Sequence, residues 1–303
     1  MSQPYTNFVE QIKNSHHMKK YKIIVSVMSA MLLTACSENV EKSAQRFLNA
    51  AEEALAAGSF SEAKAQIDSI KVVYPKAFEA RKAGIALMRK VEIAEAEQTY
   101  AYTDSLLNVE MEKAKQLIPH FLFEKNAEYQ EIGNYLAPSQ RIEDNLERNY
   151  LRATVDEKGH MVLASLWRGP AYIHHRRVKV SGGGTFAETP ESKNPYESSD
   201  ALAKTERNDY ALGEDGGVIA FIALHRGETL KVEYIGDKTS VTTLTAADTR
   251  AIADVYELAQ VLTAIEGLNA MQDETTRKIA FHQSKEEQES LPVAKGAEKQ
   301  AGE

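Results

Sequence analysis

Residues 18–36 constrain this chain more than any other stretch. Lys19, Lys20 and Lys22 place three positive charges ahead of a predominantly apolar run, 23–35, which ends in Leu33-Thr34-Ala35-Cys36. As a helix, that run reaches only ~20 Å, short of a hydrocarbon core of ~30 Å. A basic front, a short apolar centre and small residues at the end make an export signal rather than a membrane span. Residues 18–35 are therefore expected to take no part in the fold, and the rest to fold outside the cytoplasm.

The closing tetrad resembles the lipobox of bacterial lipoproteins, position by position: a long apolar residue, two small ones, then cysteine. The resemblance implies a lipid on the Cys36 thiol, cleavage just before it by a dedicated signal peptidase, and acylation, typically with palmitate, of the new amine. One acyl chain binds a membrane only marginally, at ~0.8 kcal/mol per buried methylene, whereas two or three hold it. The membrane partner is then the bilayer reached through Cys36. The expected address is the bacterial cell envelope, and Ser37 suits delivery to the outer membrane. Whether the periplasmic or the surface face is meant stays open. Residues 1–17 are polar and precede a second methionine, Met18, so they read as an over-extended start, with a short cytoplasmic tail as the alternative.

Residues 1–35 hold four Lys and one Glu, so the chain's 36 basic and 44 acidic residues become 32 and 43 after cleavage, a net of −11. That balance argues against a nucleic-acid partner. Cys36 is the single cysteine. Once it is lipidated, no thiol is left for catalysis, a disulfide or a zinc ribbon. The residues show no Gly-x-Ser-x-Gly elbow, His-Glu-x-x-His, phosphate loop or dinucleotide fingerprint. No catalytic residue, metal or cofactor is therefore assigned.

Past a polar tether at 36–43, residues 44–77 resemble one tetratricopeptide repeat. Ala50, Ala51 and Ala54 line a first helix, Gly58 breaks it, Phe60 follows, Ala63 sits at the crossing, Ile67 and Ile70 continue the core, and Pro75 ends it. A solenoid needs at least three such units, and only one is present, so the expectation is a helical hairpin that caps something else. Residues 78–118 read as one long helix. Ile93, Tyr100, Leu107 and Ala114 recur every seven, with Ala96, Met111 and Ile118 between them, as in a coiled-coil seam. Residues 120–149 form a bridge that completes a helical region over 44–149, with short helices expected at 124–136 and 139–146.

At Tyr150 the hydrophobic period changes from 3.6 to 2. Strands are expected at 151–156, 161–167 and 172–180, a long loop at 185–209, and a three-strand meander over 218–224, 229–235 and 240–244. Thr245, with Asp248 three residues later, starts a second long helix that carries Val255, Leu258, Leu262, Ile265, Leu268, Met271 and Ile279 to about residue 283. Residues 284–303 are charged and read as a disordered tail. The fold class is therefore α+β. An N-terminal helical hairpin and long helix come first. An antiparallel β domain, a sandwich or curved sheet, occupies 150–244. The helix at 245–283 packs back on the N-terminal helices.

His174-His175-Arg176-Arg177-Val178-Lys179 is the one dense basic cluster of the mature chain. In a strand, alternation puts His175, Arg177 and Lys179 on one face, where they would contact an anion or an acidic glycan, with the glycines at 182–184 adding backbone donors. The same charges would equally blunt an edge strand. Trp167 and Tyr172 are candidates for stacking on a sugar, although a lone tryptophan more often fills a core. The expected function is a non-enzymatic envelope lipoprotein that binds a protein partner or a glycan. The alternative is an exported carbohydrate-active or other hydrolytic enzyme, with its site on the β domain.

Overall fold

The computed structural model describes residues 40–290. The export signal, Cys36 and residues 291–303 lie outside the described residues. The chain forms two compact units. One is built from the described residues up to Tyr100 and from Glu274 onward, the other from Ala101–Asp273. The fold is α+β, and the long C-terminal helix packs against the long N-terminal one.

The first unit is helical. Helix α1 spans 40–56, α2 spans Phe60–Val73, α3 spans Phe78–Leu117 and α5 spans Ala246–Ser290, the last two running on into the second unit. Ala44, Leu48 and Ala51 lie at helical spacing on α1 and are buried against Ala63, Ile67 and Ile70 of α2 and Leu87 and Val91 of α3. Gly58, with φ +72°, closes α1. The Ser59 N–H donates to the Ala54 carbonyl at 2.8 Å and the Gly58 N–H to that of Leu55 at 3.0 Å, a C-cap that needs a left-handed residue. Glu41 then serves a neighbouring helix. Its carboxylate accepts the N–H groups of Glu79 and Ala80, at 3.3 and 3.2 Å, two of the orphan donors at the start of α3. Glu92 on α3 takes Lys64 of α2 at 2.7 Å and Lys278 of α5 at 2.5 Å, so three helices share one carboxylate.

The seam on α3 differs from the heptad expected. Val91, Ala96, Thr103, Leu107 and Ala114 are buried, whereas Tyr100 and Met111 are exposed. Spacings of four and seven occur in both the expected and the buried sets, and the larger apolar residues were the misleading ones. Helix α5 continues to Ser290, past the expected end near 283.

The second unit holds two antiparallel sheets. The first contains β1 (Leu122–Glu124), β2 (Asn134–Leu136), β3 (Tyr150–Asp156), β4 (Met161–Gly169), β7 (Tyr196–Ser199) and β8 (Lys204–Ala211), in the order β1-β2-β3-β4-β8-β7. The second contains β5 (Arg177–Gly182), β6 (Thr185–Glu188), β9 (Leu230–Ile235) and β10 (Thr239–Leu244), in the order β10-β9-β5-β6. Their apolar faces meet around Leu151, Val155, Leu163, Val180, Val232 and Tyr234, and helices α4 (Val218–Leu224) and α5 close the core with Ile219, Ile222, Ile252 and Leu258. At the start of α5, Thr245 and Asp248 form the expected capping box. Asp248 also takes Arg148 through two bonds, at 2.6 and 2.9 Å.

Several local expectations fail, each for a physical reason. Residues 124–136 and 139–146 form the β1–β2 pair and two 3-10 turns rather than helices. Here Gln140 replaces a missing strand. Beside β3 its fully buried amide donates to the Leu151 carbonyl at 3.0 Å and accepts the Ala153 N–H at 2.8 Å, a side chain imitating a ladder partner. Residues 218–224 are α4, not a strand. Seven apolar residues fit either state, and Asp215 decides for the helix by accepting the Ile219 N–H at 2.6 Å. The long loop at 185–209 contains β6, β7 and most of β8.

Candidate functional site

The expected strand over 172–180 is only half formed. Residues 170–176 cross from β4 in the first sheet to β5 in the second, and β5 begins at Arg177. His174 has φ +52°, the one positive φ at a non-glycine among the described residues. Burial alternates through 173–176 and again through β5, but the two runs are out of phase, so His175 lies in the core while Arg177 and Lys179 do not.

A crossover between sheets leaves backbone N–H groups without ladder partners. Glu206, on β8, collects them. Its Oε1 accepts the N–H of Ile173 at 2.6 Å and of His174 at 2.9 Å, and its Oε2 accepts the N–H of His175 at 2.8 Å. The same Oε2 lies 2.6 Å from His175 Nδ1. Across the ring, Nε2 meets Ser165 Oγ at 2.9 Å and Asn208 Nδ2 at 3.0 Å, while that amide also donates to the His175 carbonyl at 2.7 Å. These contacts fix the tautomer. Nδ1–H donates to Glu206, and Nε2 is the acceptor. Burial pushes the His175 pKa down and outweighs the pull of Glu206. Burial pushes the Glu206 carboxyl up, but His175 and the three amides outweigh it and hold it below the usual carboxylate range. The pair is thus a neutral imidazole on a carboxylate.

Serine, histidine and glutamate in this order reproduce the connectivity of a hydrolytic relay. Reaction would require a carbonyl within ~3 Å of Ser165 Oγ, yet Ser165 is 0%, His175 1% and Glu206 1% exposed. In this conformation the group organises the crossover.

The residues singled out from the sequence scatter accordingly. His175 is enclosed as described, and Trp167 lies in the core. Arg177 pairs with Glu188, and Lys179 stands 4.1 Å over the Phe186 ring. Tyr172 stacks on His174, with ring centroids 5.7 Å apart, under Lys204 at 5.4 Å; His174 in turn bonds Glu197 at 2.8 Å. An anion in solvent would therefore meet Arg177, Lys179 and Tyr172, the first already paired, and neither His175 nor Trp167. Cys36 lies outside the described residues.

Sequence reasoning missed Glu206 and Asn208 because they fell in the supposed loop. Glu206, Asn208 and Tyr210 are the buried, period-2 face of β8. A strand whose inward residues are polar hides from any hydropathy alternation, and only the count of two would have revealed it.

Among the described residues, two clefts have largely apolar walls; a more open one lies between β1 and β2, around Phe123, Lys125 and Asn134. In the second unit, about 470 Å³ opens beside the first turns of α5. Leu117, Phe121, Pro138 and Ala251 form its apolar side, and Arg226 bridges Asp254 and Glu257 at its rim. In the first unit, about 470 Å³ lies between α2, the start of α3 and the end of α5. Among the described residues no group of three or more His, Cys, Asp or Glu would hold a metal ion, and no helix is long and apolar enough to cross a membrane. No protein-family model, curated protein or solved structure matches this chain.

Proposed function

We propose that this chain is a lipid-anchored lipoprotein of the bacterial envelope, held in the outer membrane through Cys36, that docks a partner protein or a glycan without catalysing a reaction. The observation that carries the anchoring is the tetrad Leu33-Thr34-Ala35-Cys36 behind a basic and then apolar stretch too short to span. Helix α1 is described from residue 40, inside the stretch expected as a tether at 36–43, so folded protein begins no more than four positions after Cys36. The docking reading draws support from the clefts, which are walled by apolar side chains.

Cys36→Ser tests the anchor. Wild-type chain should incorporate an alkyne-labelled palmitate analogue and sediment with membranes. The variant should keep its signal segment and take no label. Equal labelling and processing of the variant would overturn the reading. The alternative, an exported hydrolase, is favoured by one observation, the Ser165–His175–Glu206 alignment. It requires Ser165 to become reachable. A fluorophosphonate probe would then label Ser165, whereas the docking reading expects no labelling.

A further inference from the structure

The helical unit leaves a trough between its three helices. Ile67 and Ile70 of α2, Ile85 and Met88 of α3 and Phe281 of α5 form its apolar walls. Gly84 brings α2 and α3 together at its base, since a Cβ there would stand 3.3 Å from the Ile67 side chain. Ile85 and Phe281 are each 57% exposed, more than a finished helical layer leaves on large apolar residues. A lone helical hairpin has this problem by construction, because its outer face is where a next helix would stack.

The rim of the trough is basic within a chain of net charge −8. Lys71, Arg81, Arg89, His282 and Lys285 line it against a single acid, Asp68. Glu289 neutralises Arg89. Arg81 is bonded to the carbonyl of Pro75, at 2.9 Å, and Lys285 to the amide of Gln288, at 3.3 Å, so neither is held in an ion pair among the described residues, although Glu289 also attracts Lys285. Lys71 makes no ion pair among the described residues. A trough with helical walls, an apolar bed and surplus cations along its edges is complementary to one shape and one charge.

We propose that this trough docks an amphipathic helix of a partner protein, with apolar residues at i, i+3, i+4 and i+7 and acidic residues on its flanks. The proposal rests on the docking half of the function above and supplies the chemistry of the partner. It does not depend on the lipid.

The probe is a fluorescein-labelled designed helix of about 18 residues, leucine at the stripe positions i, i+3 and i+4 of each seven-residue repeat and glutamate elsewhere. Its control replaces every glutamate with lysine. Fluorescence anisotropy is measured against the full lipidated chain in detergent micelles, and peptide uptake by micelles is common to all arms. The acidic helix should bind saturably, weaken as salt rises, and bind better than the lysine helix. Ile85→Glu, and separately Lys71→Glu with Lys285→Glu, should each weaken binding by about tenfold or more. Leu202→Glu, at a residue 87% exposed in the other unit, should change nothing. Equal binding of the two helices, or binding indifferent to the trough variants, would overturn the proposal. So would a wild-type dimer that Ile85→Glu turns into a monomer, which would make the occupant a second copy. The mass of the N-terminal peptide in the same sample reads the state of Cys36, so a failed trough and a failed anchor give different results.

Discussion

His175 and Glu206 share a 2.6 Å hydrogen bond inside a core that leaves both about 1% exposed. The carboxylate is there for the backbone as much as for the ring. It completes three N–H groups of the segment that carries the chain from one sheet to the other, and it turns an otherwise unsatisfied crossover into a fixed one.

That arrangement ranks two substitutions. Glu206→Ala strands three amides and the imidazole N–H, and should cost about 3–5 kcal/mol. Ser165→Ala removes one donor to Nε2 and leaves Asn208 in place, so it should cost only about 1 kcal/mol. Urea unfolding followed by circular dichroism measures both. A Ser165 variant as damaged as the Glu206 variant would assign the network a different centre.

Acid should weaken the second unit in a defined order. The His175 pKa is lower folded than unfolded, because burial disfavours the imidazolium more than Glu206 favours it. Below about pH 6.5 the unfolded chain therefore binds a proton that the folded chain refuses, and stability falls until folded His175 is protonated too. Glu206 and Asp248 are each pushed up by burial but held below their ordinary values by their donors. Their stabilisation is present above about pH 4.5 and is lost as pH falls through their folded pKa values. His174 runs the other way. Glu197 raises its pKa, but the ring is solvent-exposed and the pair is screened. The urea midpoint should fall from pH 7 to pH 4, beginning near 6.5. A midpoint that rises on acidification would contradict the assignment of a neutral His175.

Gly159 ties the β3–β4 hairpin to α5. It has φ +89°, and a Cβ would lie 2.4 Å from the backbone nitrogen of Thr263 and 2.8 Å from the carbonyl oxygen of Ala259. Gly213 has the same φ with no atom within 4 Å of a Cβ. Gly213→Ala should therefore cost about 1–2 kcal/mol, the left-handed penalty alone. Gly159→Ala should cost about 2–4 kcal/mol, since it adds a clash with helix backbone. Thermal unfolding of the two variants side by side separates the contributions. Equal losses would mean that the hairpin does not press on the helix.

Much of the architecture was legible because it is written in hydrophobic period. The first part of the α5 stripe, Val255, Leu258 and Leu262, read directly from spacing, as did its Thr245–Asp248 start and the strand beginning at Tyr150; farther along the stripe Met271 is exposed, and β1 and β2 already precede Tyr150. What stayed hidden was polar. Gln140 completes β3 with a side chain, Glu206 and Asn208 give β8 a polar inner face, and the buried positions 173 and 175 are out of phase with those of β5, 178 and 180. None of these alters hydropathy in the expected rhythm. The charged cluster at 174–179 misled for the same reason, because its charges were visible and its backbone was not. The trough between α2, α3 and α5 needed three helices brought together from distant parts of the chain, which no local pattern records.

The anchor is the claim on which the account of function depends most. Intact mass spectrometry of the N-terminal peptide, taken from protein extracted from its native membrane, tests it directly. The account predicts a mature chain that begins at Cys36, with a lipid on sulfur and an acyl group on nitrogen. A chain still carrying Ala35 next to an unmodified Cys36 would contradict it.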